Sequence, residues 1–251
     1  MVQRSSFPEF IFSDFDGTLT SAGGAITSEF HQLLEMISQR SAKLVVVTGR
    51  STAWGLFLLT HFPQIHAVVT EGGGVALTRQ RTGLNQALLC SQAAIDSISS
   101  LKSKLELAFP KQLEHALDNT GRLSDYALEL TPLLKDLKLK QKVEEELKAW
   151  GAHFTQSNVH INITFHEINK WESVQHWCVL EGIVWSDIKA RAIFFGDSLN
   201  DESMFANFEY SVGVANIKSC IKQMKFPPKT ILEGHENEEI HGVLNYLKVL
   251  K

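Results

Sequence analysis

The chain has 251 residues, 44% of them hydrophobic, enough for one large domain or two smaller ones around a sizeable core. Lys and Arg number 24 against 28 Asp and Glu, a formal net charge of -4. This excludes a broad basic surface for nucleic acid and leaves room for a local basic pocket facing an anionic small molecule. Three well-separated cysteines, Cys90, Cys178 and Cys220, lie in apolar surroundings with no C-x-x-C pair, so buried thiols in a reducing compartment are expected rather than zinc ligands.

The N-terminal stretch MVQRSSFPEF lacks the long apolar run of a signal peptide. Runs such as LLEMI and GLFLL are too short to cross a bilayer, so a cytoplasmic location is expected. Residues 10–13 read as a short strand ending at Asp14 and Asp16. Residues 27–39 read as a helix, with Thr27 at its N-cap and Phe30, Leu33, Leu34 and Ile37 on one face. Residues 44–47 form a continuous apolar run, the mark of a buried parallel strand. Residues 54–59 read as helical and 65–69 as another strand, broken by the triple glycine 72–74. This alternation predicts a doubly wound α/β sheet.

The pattern then changes. Residues 89–109 read as a long helix, and 112–117 and 126–130 as paired strands. LKLKQKVEEELKAW places Leu139, Val143, Leu147 and Trp150 at helical spacing, with its lysines and glutamates on a solvated face. AHFTQ and HINITF follow as two strands with Asn158 in the turn; the second sets Ile161, Ile163 and Phe165 against Asn162 and Thr164. Residues 80–165 thus predict an α+β insert with an antiparallel sheet. The first pattern resumes with a helix over 170–180, where Asn169 and Glu172 form a capping box. Then come ARAIFFGD, a second apolar run ending in an aspartate, the short strand SVGVA, a short helix over 219–224, an edge strand KTILE and a final helix GVLNYLKVL. The expected organisation is a core split over 1–79 and 166–251, interrupted by a cap over 80–165.

Three apolar runs end in polar groups of one kind: Asp14 and Asp16, Thr48, and Asp197. Open α/β sheets bind ligands beyond the carboxyl ends of their strands, so parallel neighbours would bring these groups into one crevice. Taken alone, DFDGT is equally an ordinary acidic turn. Together the groups suit phosphoryl transfer. Carboxylates are ligands for a hard divalent ion, so Asp14 and Asp197 can hold magnesium, with Asp201 helping from the next turn. A carboxylate can attack phosphorus to give an aspartyl-phosphate. Thr48 and Lys170 can donate hydrogen bonds to phosphoryl oxygens, where charge develops in the transition state.

DFDGT, the Thr-Gly-Arg at 48–50, Lys170 and GDSLND, in this order, resemble the haloacid dehalogenase-like phosphohydrolases, over residues 10–78 and 168–243. The insert resembles the type IIB (C2B-like) cap of the Cof, sucrose-phosphatase and trehalose-phosphatase kinds. The resemblance implies a Rossmann-like parallel-sheet core with an inserted α+β cap, Mg2+ as cofactor and a small phosphomonoester as substrate. That substrate would be a sugar phosphate or related metabolite, with neither nucleic acid nor membrane as partner.

The resemblance also implies roles. Asp14 would be the nucleophile, with one oxygen on the metal. Asp16 would be the general acid and later the base, its backbone carbonyl also on the metal. Thr48 would hold the phosphoryl group, and Lys170 would pair with Asp14 and the phosphate. Asp197 would be a direct metal ligand and Asp201 a second one, directly or through water. Asn200 would orient Asp201 or the phosphoryl surroundings. Gly49 and Arg50 lie beside the phosphate position, though Arg50 reads equally as a pairing residue at a helix start. Arg122, near Asp125 and Tyr126, reads either as a reader of a sugar or second anion or as part of a surface turn. His160 and His166 lack metal-ligand spacing and read as structural, and Trp54 reads as core or as entrance lining. Two departures stand out: Trp171 follows Lys170 where many relatives have glycine, and EGGG occupies 71–74 where relatives often have Asn-Gly. The same residues suit a phosphomutase, and a catalytically silent binding or scaffold protein is the alternative outside enzymology.

Overall fold

The computed structural model describes residues 6–21, 24–156 and 159–251. In the first part of the chain β1 (Phe10–Ser13), α1 (Ser28–Gln39), β2 (Lys43–Val47), α2 (Thr52–His61) and β3 (Ile65–Thr70) alternate, and β4 (Val75–Gln80) and β5 (Gly83–Leu88) form a hairpin. The insert contains α3 (Gln92–Ala108), β6 (Asp125–Glu129), α4 (Leu130–Lys135), α5 (Leu137–Ala149), β7 (His153–Gln156) and β8 (His160–Thr164). The chain then returns through α6 (Lys170–Leu180), α7 (Trp185–Ile188), β9 (Ala192–Gly196), α8 (Glu202–Asn207), β10 (Ser211–Gly213), β11 (Thr230–Ile231) and α9 (Glu239–Lys248).

The large sheet has the order β11-β10-β9-β1-β2-β3-β4-β5. The first six of these strands run parallel, and the β4–β5 hairpin is added antiparallel beside β3. This is a Rossmann-like core. Strand order reverses between β1 and β9, since β1 leads on to β2 and β3 on one side while β9 leads to β10 and β11 on the other. Ligands bind at such a switch point. Register aligns the strand ends there: Ser13 lies opposite Val46 on β2 and Phe195 on β9.

Both faces of this sheet are covered, which explains the unbroken apolar runs. Ile11, Val46, Ile193 and Phe195 pack with α1 and α9 residues on one face, and Phe12, Val45, Val47 and Phe194 pack with Val174, Trp177 and Phe205 on the other. Side chains alternate between the two with the strand period of two. Phe12 meets Trp177, Trp185 and Phe208 edge-on, with centroids 6.0, 6.1 and 5.2 Å away. The buried Trp177 indole N–H donates to Thr78 Oγ1 at 2.9 Å.

The insert has its own antiparallel sheet, β6-β8-β7, and its own apolar cluster, in which Leu128, Ile161 and Ile163 pack against Leu101, Leu105, Val143 and Leu147. The alternation in HINITF therefore leaves His160, Asn162 and Thr164 facing the core domain, on the lining of a cavity.

Several expectations are corrected. The boundary at 80 falls inside the β4–β5 hairpin, and β5 belongs to the large sheet. It is an exposed edge strand, GLNQAL, with neither an apolar run nor clean alternation to reveal it. The strand expected over 112–117 shrinks to one bridge, His115 to Leu128. The helix expected over 219–224 is replaced by two short 3-10 turns, Ala215–Ser219 and Ile221–Gln223. Thr27 sits at the N-cap of α1 without a capping hydrogen bond. Asn158 lies outside the described residues. All three cysteines are free, but only Cys178 is buried; Cys90 and Cys220 are half-buried. Among the described residues no helix is long and apolar enough to cross a membrane.

The capping box at Asn169 is present in full: its side chain accepts from Trp171 N and Glu172 N, and Glu172 returns the bond to Asn169 N. Because Lys170 is the first residue of α6, this cap also places the lysine. Asn169→Ala should lower unfolding free energy in urea by about 1 kcal/mol, and Asn169→Asp should keep most of it.

Candidate active site

Asp14, Thr48 and Asp197 directly follow the carboxyl ends of β1, β2 and β9. Asp14 follows β1, and its N–H donates to Phe195 O on β9 at 2.9 Å, tying the two strand ends together. Gly17 then turns the chain with φ +78°, where a Cβ would lie 2.5 Å from Asp197 Oδ2. Only glycine meets both the left-handed backbone and the close approach. Thr18 Oγ1 donates to Asp197 Oδ1 at 3.2 Å, and Asn216 Nδ2 donates to Asp197 Oδ2 at 3.0 Å and Gly17 O at 2.9 Å.

Asp201 closes a tight turn after β9. Its Oδ2 accepts from the N–H groups of Asp197 and Ser198 at 3.0 and 3.1 Å. Lys170 Nζ reaches in from α6 to Asp14 Oδ1 at 2.6 Å, Asp201 Oδ1 at 2.7 Å and Asn200 Oδ1 at 3.1 Å. Trp171 causes no displacement of this lysine; its ring packs edge-on against Trp185 and Phe208, at 4.8 and 5.8 Å.

Carboxylate oxygens of Asp14, Asp197 and Asp201 lie within 4.8 Å of one another, and all three residues are buried. Burial raises the Asp14 pKa to about 7 despite the opposing pull of Lys170. Burial, with the Asp14 and Asp201 charges adding to it, pushes Asp197 up to about 8. Burial works against the Lys170 ammonium, yet Asp14 and Asp201 outweigh it and hold its pKa above the ordinary lysine range. Three clustered carboxylates face a single ammonium, and their donors are hard oxygens. The residues present therefore fit a divalent cation of the magnesium type.

Asp16 stands apart from this trio. Its carboxylate is held bidentately by Arg50, Nε to Oδ2 at 2.8 Å and Nη2 to Oδ1 at 2.5 Å. Arg50 lies over the Trp54 ring at 4.9 Å, so the tryptophan supports this pair at the cavity edge while also packing on the core. Thr48 is buried, and its hydroxyl accepts from Arg50 N at 3.1 Å, which leaves its own O–H as a donor.

Asp14, Asp16, Thr48, Gly49, Arg50, Lys170 and Asn200 line one cavity of about 420 Å³, roofed by the polar face of the cap sheet. Arg122 does not line it. Its guanidinium is buried and committed to Asp118, Asp125 and the Gly49 carbonyl, so it is neither a surface turn residue nor a group facing substrate. Tyr126 points elsewhere, to His115 Nδ1 at 2.9 Å. His160 and His166 line the cavity, and burial lowers the pKa of each.

Three further residues shape the site. Asn216 comes just after β10, and its place past the end of a strand is a signal of the same kind as those of Asp14 and Asp197. Asn162 shows in the sequence only as the polar side of a strand, and Glu71 only as the residue before a glycine run.

A carboxylate trio, a buried lysine and a threonine at the switch point of a Rossmann-like sheet define a phosphoryl-transfer site. The haloacid dehalogenase-like hydrolase family model matches residues 11–110 and 108–247, and the chain belongs to that family. Family and acidic cluster together support phosphatase activity. No curated protein matches the chain. Among solved structures, a Thermoplasma acidophilum protein is similar with TM-score 0.71 and 15% identity, covering 97% of this chain and 100% of that one. A haloacid dehalogenase-like hydrolase from Bacteroides thetaiotaomicron is similar with TM-score 0.67 and 16% identity, covering 95% and 98%. The sucrose-phosphatase of a Synechocystis species, in complex with sucrose and phosphate, is similar with TM-score 0.62 and 16% identity, covering 98% of each chain. At these identities the likeness is one of fold.

The raised Asp197 pKa has a consequence for stability. A carboxylate whose folded pKa exceeds its unfolded value costs stability as pH rises between the two, here from about 4 to about 8. In metal-free protein, Asp197→Asn should therefore raise the melting temperature near pH 8, with the gain shrinking toward pH 4. Added Mg2+ should raise the melting temperature of the wild type more than that of the variant near pH 8.

Proposed function

We propose that this protein is a magnesium-dependent phosphomonoester hydrolase that works through an aspartyl-phosphate on Asp14. Its substrate is a sugar phosphate or a related small phosphorylated metabolite. The observation that carries this reading is the convergence of Asp14, Thr48, Lys170 and the carboxylate trio where β1, β2 and β9 end.

In the first step an Asp14 carboxylate oxygen attacks phosphorus, and the bond from phosphorus to the alkyl oxygen breaks. Asp16 gives its proton to the departing alkoxide. In the second step Asp16 takes a proton from water, the water oxygen bonds to phosphorus, and the bond to Asp14 breaks. Lys170 and the Thr48 hydroxyl donate to phosphoryl oxygens, preorganised by burial and by the contacts already in place. Arg50 pairs with both Asp16 oxygens here, so for Asp16 to carry the proton Arg50 must give up one of them. Asp14 and Asp197, with Asp201 beside them, would hold magnesium, which when bound supplies positive charge against the repulsion between carboxylate and anionic substrate.

Three observations support the substrate class. A cavity of about 420 Å³ falls in the range of small-molecule sites. Its roof offers His160, Asn162 and Thr164, polar groups suited to hydroxyls. The similar Synechocystis enzyme is a sucrose-phosphatase.

The test is a screen of phosphomonoesters with Mg2+, following release of inorganic phosphate. Turnover should need Mg2+ and no activating bisphosphate. Asp14→Asn should lose about a thousandfold or more in kcat with its circular dichroism unchanged. Wild-type turnover in that variant would remove Asp14 as nucleophile.

A further inference from the structure

Glu71, Arg122 and Asp125 are charged, buried and unused by the chemistry above. They lie where the cap meets the Thr48–Gly49–Arg50 loop. Arg122 Nη1 sits 2.8 Å from both Asp125 oxygens and donates to the Gly49 carbonyl at 3.1 Å. Asp118 holds its other edge, Nε and Nη2 each at 3.1 Å. From β8, Asn162 Nδ2 donates to the same Gly49 carbonyl at 3.1 Å and to Asp125 Oδ2 at 2.8 Å. Two cap donors, both oriented by Asp125, thus grip one carbonyl of the core. The side chains of Arg122 and Asp125 are 1% and 0% exposed, so this pair has little access to water as a substitute partner.

A second grip lies alongside. The Glu71 carboxylate, on the core side, accepts from Leu123 N at 2.9 Å, Ser124 N at 2.6 Å and Ser124 Oγ at 2.8 Å, all in the cap. It also accepts from Thr52 N at 2.9 Å and Thr52 Oγ1 at 2.5 Å at the start of α2. The seam is close-packed: a Cβ on Gly74 would lie 1.9 Å from Ser124 Oγ, and one on Gly121 2.4 Å from Ala53 Cβ.

The Gly49 carbonyl and the Arg50 N–H belong to one planar peptide unit, so fixing the oxygen fixes the direction of the N–H. That N–H is the donor to Thr48 Oγ1. Holding it there keeps the threonine oxygen occupied as an acceptor and its proton free for a phosphoryl oxygen. Core N–H groups hold the carbonyls on either side, Gly72 N to Thr48 O at 3.2 Å and Glu71 N to Arg50 O at 2.9 Å, and the Gly49 carbonyl between them is held by the cap.

We propose that Arg122 and Asn162 are positioning residues that act through the Gly49 carbonyl, so that seating of the cap sets the Thr48–Gly49–Arg50 loop for phosphoryl binding. The inference rests on the phosphoryl-binding reading of Thr48 above. It gives Arg122 a part in the reaction without contact with substrate.

The test is calorimetric titration of inorganic phosphate in the presence of Mg2+, which needs no turnover. Arg122→Met and Asn162→Ala should each weaken phosphate binding about tenfold, with Mg2+ affinity within about twofold of wild type. Each should also be non-additive with Thr48→Ala: the double variants should bind phosphate within about twofold of Thr48→Ala alone. Asn162→Ala keeps every Arg122 ion pair, so it carries the test if Arg122→Met does not fold. A lowered melting temperature with unchanged phosphate affinity, or additive losses in the double variants, would overturn the proposal. Wild-type protein that binds phosphate but hydrolyses no ester removes the proposed function and leaves this inference standing. Wild-type protein that binds no phosphate removes both.

Discussion

The site depends on one ammonium among three carboxylates. Lys170 Nζ touches Asp14 and Asp201 at 2.6 and 2.7 Å, and all three side chains are buried at the floor of the cavity. Breaking a buried pair by removing one partner is costly, because the other charge is left without compensation. Even with the lysine in place the Asp14 and Asp197 carboxyls have raised pKa values, chiefly through burial and secondarily through the neighbouring carboxylates. The fold thus gathers three carboxyl groups, which a bound cation would help to ionise, at the point where a cation and a phosphoryl group would meet. Backbone N–H groups on Asp201 and the Thr18 and Asn216 side chains on Asp197 keep the carboxylates in place despite their mutual repulsion.

That arrangement needs a rigid base, and the parallel sheet supplies it. β1 is buried on both faces and paired on both edges, so the residue that follows it has little freedom. The aligned registers of β1, β2 and β9 put three strand ends side by side. Aromatic packing around Phe12, directly beneath Asp14, then resists any local shift. Sheet geometry decides where the carboxylates stand, and the turns after each strand decide where they point.

The parts of this that could be read in the sequence are those governed by local pattern. An apolar run ending in Asp14, another ending in Thr48 and a third ending in Asp197 each declare a buried strand and the polar group at its end. The Asn169–Glu172 capping box was equally local. The role of Arg122 is not legible in the sequence, because its partners are Asp125 and the Gly49 carbonyl, the latter 73 residues away along the chain. An arginine near a strand start carries no sign of whether it faces substrate or another carbonyl. β5 hides for the opposite reason: an edge strand exposed along nearly its whole length has no buried face to impose the apolar alternation that marks a strand. Glu71 is a single polar residue whose partners are set by tertiary closure, so its neighbours give it no context.

Cap and core each have their own apolar cluster, and the seam at Glu71 and Gly49 is made of hydrogen bonds and ion pairs. This division has a physical consequence. Apolar contact is non-directional and tolerates sliding. A seam of buried donors and acceptors is satisfied in one arrangement, and any other leaves charged groups unpaired. A polar seam therefore adds little net adhesion but fixes orientation strongly. For a roof whose polar face, with His160, Asn162 and Thr164, must stand over Asp14 and Thr48, orientation is the property that matters. The two grips also fall on opposite sides of the exchange: in one, cap donors hold a core carbonyl, and in the other a core carboxylate holds cap N–H groups.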